Sequence, residues 1–369
     1  MTSLIKRYTD SDLSLNQIAT RRTFLTGLAM TAGSALLAGC GGGSDGVGTP
    51  GAVANAEANA AATPTTIVNA SSFGVKADGK TNDRVALQNA INGSVGKILL
   101  ISGQVRIDVT GVALVTNSYI RFAPGASIKL LAHNSTFYQV MRIWDVQNVT
   151  VQNAYIDGSK ELNSATPNAN SGGGGMGISI CGASNVTLTS PTTINTWGDG
   201  IYIANSYHSS ATVTSNVNVA NHLSNGVRRN GATIISGNGI TFTSPVWQNC
   251  SGTMPSAGLD IEPNSNADVL QNIKIVSPTS TNCHFGINIY AANLPGSVAK
   301  SVQIAISNHT DNAANDAGFY VSGLKLNGHT VSGLISSASP TFVKSKAGYR
   351  LSAWDMTGPQ VEVTNITTR

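Results

Sequence analysis

Apolar and polar positions in this chain follow a short pattern that repeats. A glycine is followed by an apolar, a variable and a second apolar residue, at intervals of 23 to 32 residues. The copies are GISI at Gly177, GIYI at Gly200, GATI at Gly231, GLDI at Gly258, GINI at Gly286, GFYV at Gly318 and GYRL at Gly348. A second alternating segment, often led by asparagine, falls between them, as in NVTV at Asn148, NVTL at Asn185, NIKI at Asn272 and SVQI at Ser301. Two short strands in every repeat predict a solenoid.

The alternation within each copy predicts which side chains face the interior. Successive residues of a strand point to opposite faces, so the two apolar residues point inward and the variable residue points outward. A propeller would require about four strands in every 40 to 50 residues. The intervals therefore favour an all-β parallel β-helix, and its many asparagines and glycines suit tight turns that need a positive φ.

The segment that opens this region carries a family resemblance. Residues 72–83, SFGVKADGKTND, and residues 84–91, RVALQNAI, resemble the start of the pectin-lyase-like right-handed β-helix proteins, including those related to polygalacturonases. The resemblance implies a right-handed solenoid whose open end is covered by a short N-terminal helix. Asn82 or Asp83 is the expected N-cap of that helix. The residues expected on its buried side are Val85, Leu87, Ala90 and Ile91.

The first 66 residues predict an export signal and a tether. Residues 20–25, TRRTFL, resemble a twin-arginine motif, and residues 24–38 form an apolar run too short to span a bilayer comfortably. The run leads into LAGC, which resembles a lipobox and makes Cys40 the expected lipidation site. We therefore expect a signal peptide over residues 1–39, a flexible linker over 40–66 and the β-helix over 67–369. The expected location is the periplasm, the outer membrane or the cell surface, with the membrane as a partner through the lipid.

Composition narrows the remaining possibilities. The 22 basic and 18 acidic residues nearly balance, which argues against a nucleic-acid partner. Cys181, Cys250 and Cys283 show no CxxC spacing and are expected to be buried thiols. The histidines lack metal-binding spacing. No cofactor is expected, a calcium ion has no support in the sequence, and nothing predicts an oligomeric state.

The stretch GLDIEPN, beginning at Gly258, contains the candidate chemistry. Leu259 and Ile261 are expected in the core, so Asp260 and Glu262 point outward on the same strand face. Neighbouring turns lie about 4.8 Å apart, which allows outward residues of successive turns to form one groove. The predicted catalytic residues are Asp199, Asp260 and Glu262. The predicted substrate-binding residues are Tyr202, Arg228, Arg229, Asn288 and Tyr290.

Paired carboxylates favour a polysaccharide-cleaving glycoside hydrolase, in which one acid protonates the leaving oxygen and another activates water or attacks the sugar. A lyase or epimerase acting on uronate polymers is the alternative, because Arg228 and Arg229 can neutralise a sugar carboxylate. A non-catalytic carbohydrate-binding or exopolysaccharide-assembly protein would use the same surface. An adhesin or structural solenoid would bind no sugar, and its acids and arginines would only pair between turns.

The chain departs from the polygalacturonase pattern. That family carries an Asn-x-Asp, an Asp-Asp one turn later, then Gly-His-Gly and Arg-x-Lys. Residues 197–200, WGDG, resemble the first of these only loosely, and the sequence contains no Asp-Asp pair. A standard galacturonan hydrolase is therefore not expected.

Overall fold

The computed structural model describes residues 64–168, 173–324, 331–352 and 358–369. Their strands form three parallel sheets in which each strand pairs with its equivalents on the previous and following turns. The chain is an all-β, right-handed parallel β-helix, as predicted. The predicted signal peptide and Cys40 lie outside the described residues.

The bounds of the strands follow the three sheets. The first sheet consists of β1 (Ile67–Asn69), β3 (Ile98–Ile101), β6 (Tyr119–Phe122), β9 (Gln147–Gln152), β12 (Ser184–Thr189), β15 (Ser215–Ala220), β18 (Gly237–Thr243), β21 (Leu270–Val276), β24 (Lys300–Ser307), β27 (Val331–Ala338) and β30 (Gln360–Thr364). The second consists of β2 (Asp78–Asn82), β4 (Gln104–Ile107), β7 (Ser127–Leu130), β10 (Tyr155–Asp157), β13 (Thr192–Ile194), β16 (Leu223–Asn225), β19 (Val246–Gln248), β22 (Thr279–Thr281), β25 (Thr310–Asn312), β28 (Thr341–Val343) and β31 (Thr367–Thr368). The third consists of β5 (Val112–Ala113), β8 (Phe137–Trp144), β11 (Gly174–Cys181), β14 (Ile201–Ala204), β17 (Ala232–Ile234), β20 (Ala257–Ile261), β23 (Phe285–Tyr290), β26 (Ala317–Ser322) and β29 (Tyr349–Leu351).

Nine of the eleven turns in the described residues therefore contribute three strands, and the expectation of two was wrong for them. From β10 to β28, the strands of the second sheet are only three residues long, and the middle residue points inward. That residue is as often polar as apolar: it is Ser224 in β16, Trp247 in β19 and Ser280 in β22. Because the segments are short and their inward residues are mixed, they show no hydrophobic alternation.

Asparagines at the start of the first-sheet strands adopt the left-handed conformation and bond to each other between turns. Asn148, Asn185 and Asn216 have φ values of 57°, 55° and 52°. Asn185 Nδ2 donates to Asn148 Oδ1 at 3.1 Å, and Asn216 Nδ2 donates to Asn185 Oδ1 at 3.3 Å. Asparagine tolerates a positive φ better than most residues, so these positions combine turn formation with a side-chain ladder.

Helix α1 (Arg84–Gly93) packs at the N-terminal end of the core. Leu87, Ala90 and Ile91 are buried as expected, whereas Val85 is 58% exposed, so its assignment to the buried side was wrong. The carboxylate of Asp83, the N-cap residue, accepts hydrogen bonds from the Lys76 and Ala77 amides and does not cap the helix. Two 3₁₀ helices, Ala70–Phe73 (η1) and Lys160–Leu162 (η2), complete the helical content of the described residues.

Cys181, Cys250 and Cys283 are buried free thiols, as the sequence predicted. Cys250 and Cys283 pack with Val227, and their mutual hydrogen bond together with burial raises the pKa of Cys250 well above its ordinary value. A buried thiol held protonated in this way is a packing group. In the described part of the chain, no helix has the length and apolar character needed to cross a bilayer.

Candidate active site

The outward residues of the third sheet form a column along the β-helix axis. Strand pairing aligns the variable residue of each repeat with those of the neighbouring turns. In chain order the column contains Ser179, Tyr202, Thr233, Asp260, Asn288, Tyr320 and Arg350. The register predicted from the repeated pattern is therefore the register of the structure. Leu259 and Ile261, on either side of Asp260, are fully buried in the core.

The glycine that begins each repeat has a packing reason at the site. A Cβ on Gly231 would lie 2.5 Å from Cδ1 of Trp247 and 2.6 Å from the carbonyl oxygen of Gly258. Because Gly231 has no side chain, its backbone packs directly against the buried indole of Trp247 just before β17 begins. The preceding residues, Arg229 and Asn230, are thereby held beside the outer face of the sheet.

Arg229 is the centre of the candidate site. Its Nη1 donates to Asp199 Oδ2 at 2.9 Å. Its Nη2 lies 3.5 Å from Asp260 Oδ2 and 3.4 Å from Glu262 Oε2. Asp199 comes from the turn before that of Arg229, and Asp260 and Glu262 both come from the turn after it, so three carboxylates meet one buried guanidinium. All three predicted catalytic residues are brought together by this arginine.

Neighbouring amides fix the orientation of Asp260. Asn230 Nδ2 donates to Asp260 Oδ2 at 3.1 Å, and Asn288 Nδ2 donates to Asp260 Oδ1 at 2.9 Å. Asn230 also joins the turns through two further hydrogen bonds. Its backbone N–H donates to Asp199 Oδ1 at 3.2 Å, and its side-chain Oδ1 accepts from the backbone N–H of Ala257 at 2.9 Å. Asn288, predicted to bind substrate, therefore contacts the carboxylate of Asp260.

The three carboxylates differ in their access to solvent. Asp199 and Asp260 are fully buried, whereas the side chain of Glu262 is 16% exposed. Asp260 lies on the outer face of β20, as predicted, but the side chains of Arg229, Asn230 and Asn288 surround its carboxylate. The outward direction of Asp260 is thus as predicted, but its carboxylate is closed off from solvent. Among the three acids, Glu262 is the group that a dissolved ligand reaches first.

Arg228 has a different environment from Arg229. Its guanidinium lies 4.3 Å from the ring centroid of the buried Trp197. Its Nη2 donates to neutral oxygens: the carbonyls of Asn168 and Gly252 at 3.1 Å and Thr253 Oγ1 at 2.8 Å. Burial lowers the pKa of Arg228. Arg228 therefore links the loops at Asn168 and Gly252 to Trp197, which lies on the same turn as Asp199.

Of the two predicted tyrosines, Tyr202 lies on the same turn as Asp199, and Tyr290 lies on the turn after that of Glu262. Tyr202 is largely buried in a small apolar group with Met176, Cys181 and Ile235. Tyr290 ends β23 and is partly exposed. Because Ile261 pairs with Ile289, the residues that follow them, Glu262 and Tyr290, are neighbours across adjacent turns. Tyr290 is thus the tyrosine that borders the accessible acid.

The residues that sequence reasoning did not select are Asn230, which orients Asp260, and Tyr320 and Arg350 further along the column. The patterns GFYV and GYRL contain the last two at their variable positions. Extending the register used for Asp260 by two turns finds Tyr320, and extending it by three turns finds Arg350. Within the described ranges, no group of three or more histidine, cysteine or acidic side chains is arranged to hold a metal ion.

Comparison with solved structures identifies the same architecture. No protein-family profile matches the sequence, and no curated protein matches it significantly. The tailspike protein gp49 of Acinetobacter baumannii bacteriophage Fri1, a capsular polysaccharide depolymerase, superposes with a TM-score of 0.54 at 14% identity, covering 82% of this chain and 62% of that chain. Gene product 12 of bacteriophage phi29 superposes with a TM-score of 0.53 at 15% identity, covering 82% of this chain and 52% of that one.

An endo-xylogalacturonan hydrolase from Aspergillus tubingensis has a TM-score of 0.49 at 12% identity, covering 82% of this chain and 96% of that chain. At such identities the similarity describes architecture. It agrees with the parallel pairing of all three sheets. This chain has a right-handed parallel β-helix fold.

Proposed function

We propose that this protein is an enzyme that cleaves a polysaccharide by glycoside hydrolysis on the outer face of the third sheet. The observation that carries the proposal is the convergence of Asp199, Asp260 and Glu262 on Arg229, with Glu262 at the solvent edge. The tailspike of the same fold is a capsular polysaccharide depolymerase, and we extend a polysaccharide substrate to this chain.

The geometry of two acids suits the reaction. Asp260 Oδ2 and Glu262 Oε2 both lie within 3.5 Å of Arg229 Nη2. They are therefore no more than about 7 Å apart, which is compatible with the roughly 5 to 9.5 Å between the carboxyls of glycosidases. In such a reaction one acid protonates the glycosidic oxygen and the other activates water or attacks the sugar. In this proposal Glu262 meets the glycosidic oxygen, and Asp260 is the second acid, held in place by Asn230 and Asn288.

A second candidate reaction is β-elimination or epimerisation of a uronate polymer. The observation that favours it is Arg228, whose hydrogen bonds go to neutral oxygens and which lies one residue from the acid cluster. An arginine of this kind can neutralise a sugar carboxylate, which makes the adjacent carbon easier to deprotonate. Glu262 would then act as the base.

We also propose that the protein is exported by the twin-arginine route and anchored to the cell envelope through lipidated Cys40. The support is the sequence pattern of residues 20–40 alone. A polysaccharide-cleaving enzyme needs access to polymers outside the cytoplasm, so this location agrees with the proposed reaction.

The test is incubation of the purified protein with neutral and uronate-containing polysaccharides, following reducing ends and the ultraviolet absorbance of unsaturated products in parallel. We expect new reducing ends without the chromophore, and a loss of about 100-fold or more in rate for Glu262→Gln. The matched control is Glu362→Gln, which alters an exposed acid on β30 of the first sheet.

Each outcome has a distinct meaning. Appearance of the unsaturated chromophore would replace hydrolysis by elimination. Loss of activity in both glutamine variants would remove the assignment to Glu262. Binding of a polysaccharide with no product from any polymer would replace the enzyme by a carbohydrate-binding protein.

A further inference from the structure

A second polar and aromatic cluster lies on the same face as the acids, nearer the C-terminal end of the β-helix. It consists of His284, Phe285, Asp316, Tyr320 and Arg350, which we call the distal cluster. Tyr320 and Arg350 belong to the column that contains Asp260. They lie two and three turns beyond it, or about 10 and 14 Å along the axis at roughly 4.8 Å per turn.

Arg350 is held in one orientation although it is substantially exposed. Its Nη1 and Nη2 donate to Asp316 Oδ1 and Oδ2 at 2.8 and 2.7 Å. Its guanidinium also lies 4.2 Å from the ring centroid of Tyr320. The side chain nevertheless remains 40% exposed. A long surface side chain usually loses conformational entropy when it binds a ligand, and here much of that loss has already occurred.

The residues beneath Arg350 are stiffened in turn. The ring of Tyr320 stacks on Phe285 with centroids 5.1 Å apart and an interplanar angle of 23°, and its hydroxyl lies 2.6 Å from Ser352 Oγ. His284 packs against the edge of Phe285 and lies 3.8 Å from Asp316 Oδ2. Burial lowers the pKa of His284, which favours a neutral imidazole with one donor and one acceptor.

These features together offer a sugar several hydrogen-bonding groups in a fixed arrangement. Arg350 keeps N–H donors that Asp316 does not use, and a carboxylate oxygen accepts more than one hydrogen bond. Vicinal hydroxyls of a pyranose ring both donate and accept, so they suit a paired guanidinium and carboxylate. The Arg350–Asp316 pair carries no net charge, so it favours a neutral ligand with hydroxyl groups over a charged ligand.

We propose that the distal cluster is a carbohydrate subsite that binds the hydroxyls of a pyranose unit in a polysaccharide lying along the third sheet. This proposal rests on the proposed function only for the class of ligand, a polysaccharide. The subsite lies beyond the reach of a disaccharide bound at Glu262. It therefore contributes affinity only for longer chains.

The test compares binding of xylan, galactan, alginate and polygalacturonate by affinity electrophoresis, followed by titration calorimetry with oligomers of two to six units of each polymer that binds. The variants are Arg350→Lys, which keeps the charge and loses the paired donors, and Tyr320→Ala. The control is Arg369→Lys, at an exposed arginine outside the third sheet. Glu262→Gln is included to separate binding from chemistry.

For Arg350→Lys we expect roughly tenfold weaker binding of the longest oligomers, unchanged binding of the dimer and an unchanged thermal unfolding midpoint. Equal weakening for all lengths, or no weakening at all, would overturn the subsite even if Glu262→Gln abolishes cleavage. Failure of all four polymers to bind the unaltered protein would also overturn it. Length-dependent weakening in a protein that cleaves nothing would keep the subsite and remove the proposed hydrolysis.

Discussion

Arg229 has a structural role that is separable from any contact with substrate. Asp199 and Asp260 are fully buried, and a buried carboxylate is stable only when it is paired and hydrogen-bonded. Arg229 supplies the positive charge for both, while Asn230 and Asn288 supply further donors. The buried part of the site is therefore an ion-pair network, and Glu262 contacts it through Arg229.

Removal of the charge at Arg229 should destabilise the fold. Arg229→Met keeps a side chain of similar length and leaves two buried carboxylates without their cation. We expect the free energy of unfolding to fall by about 3 to 5 kcal/mol in urea denaturation. Adding Asp199→Asn and Asp260→Asn to this variant should restore part of the loss. A cost under about 1 kcal/mol for Arg229→Met would show that the network contributes little to stability.

At the scale of the element, the alternation of apolar residues is the signal that the sequence carries most clearly. It predicted the inward and outward residues of β14, β17, β20 and β23 because each has an apolar pair around one outward residue. It missed the second sheet because three-residue strands such as β16 and β22 present serine to the interior. The alternation also did not predict the burial of Asp260. Its carboxylate is covered by Arg229 and Asn230, which precede β17, and by Asn288, which lies within β23.

The glycine that precedes β17 should resist substitution. Gly231→Ala would place a methyl group 2.5 Å from Trp247 Cδ1 and 2.6 Å from the Gly258 carbonyl oxygen. We expect a loss of about 2 kcal/mol or more in the free energy of unfolding, because neither the buried indole nor the backbone can move away freely. Gly125→Ala is the comparison: it has open space around it and a φ of 75°, so it should cost only about 1 kcal/mol of backbone strain. Equal losses would show that packing against Trp247 imposes no constraint.

At the scale of the whole molecule, the interior of the β-helix contains polar side chains as well as apolar ones. His222 Nε2 lies 2.8 Å from Thr193 Oγ1, and His309 Nε2 lies 2.8 Å from Ser280 Oγ. Burial lowers the pKa of each imidazole to about 3. Asp311 also contacts Ser280, and burial raises its pKa. The interior thus contains two imidazoles held neutral and one carboxyl whose ionisation is disfavoured by burial.

These groups predict how stability depends on pH. An unfolded histidine takes up a proton near pH 6.5, whereas His222 and His309 do so in the folded state only near 3. The unfolded state therefore binds more protons over that interval, and the free energy of unfolding should fall as the pH drops below about 6.5. Each histidine contributes up to about 1.4 kcal/mol per pH unit. Asp311 acts in the opposite direction. Because its pKa is raised in the folded state, the unfolded state loses this proton first, and the free energy of unfolding falls as the pH rises above 3.8, the ordinary pKa of an aspartate.

Urea midpoints measured from pH 4 to pH 8 check this prediction. His309→Gln should flatten the decrease below pH 6.5, because one of the two buried imidazoles is gone. Asp311→Asn should instead make the free energy of unfolding fall more steeply towards low pH, because it removes the carboxyl whose contribution opposes that of the histidines. Identical pH profiles for the unaltered protein and the His309→Gln variant would contradict the assignment.

The three acids and the arginine that joins them come from three consecutive turns, and this arrangement limits how the chain can change during evolution. Duplication or loss of a complete turn before Asp199, or after Asn288, leaves the spacing of the cluster intact. The same event between Asp199 and Asp260 separates the carboxylates by a whole repeat and dismantles the site. The outer face of the third sheet can therefore lengthen or shorten in steps of one repeat, while the cluster is inherited as a single unit.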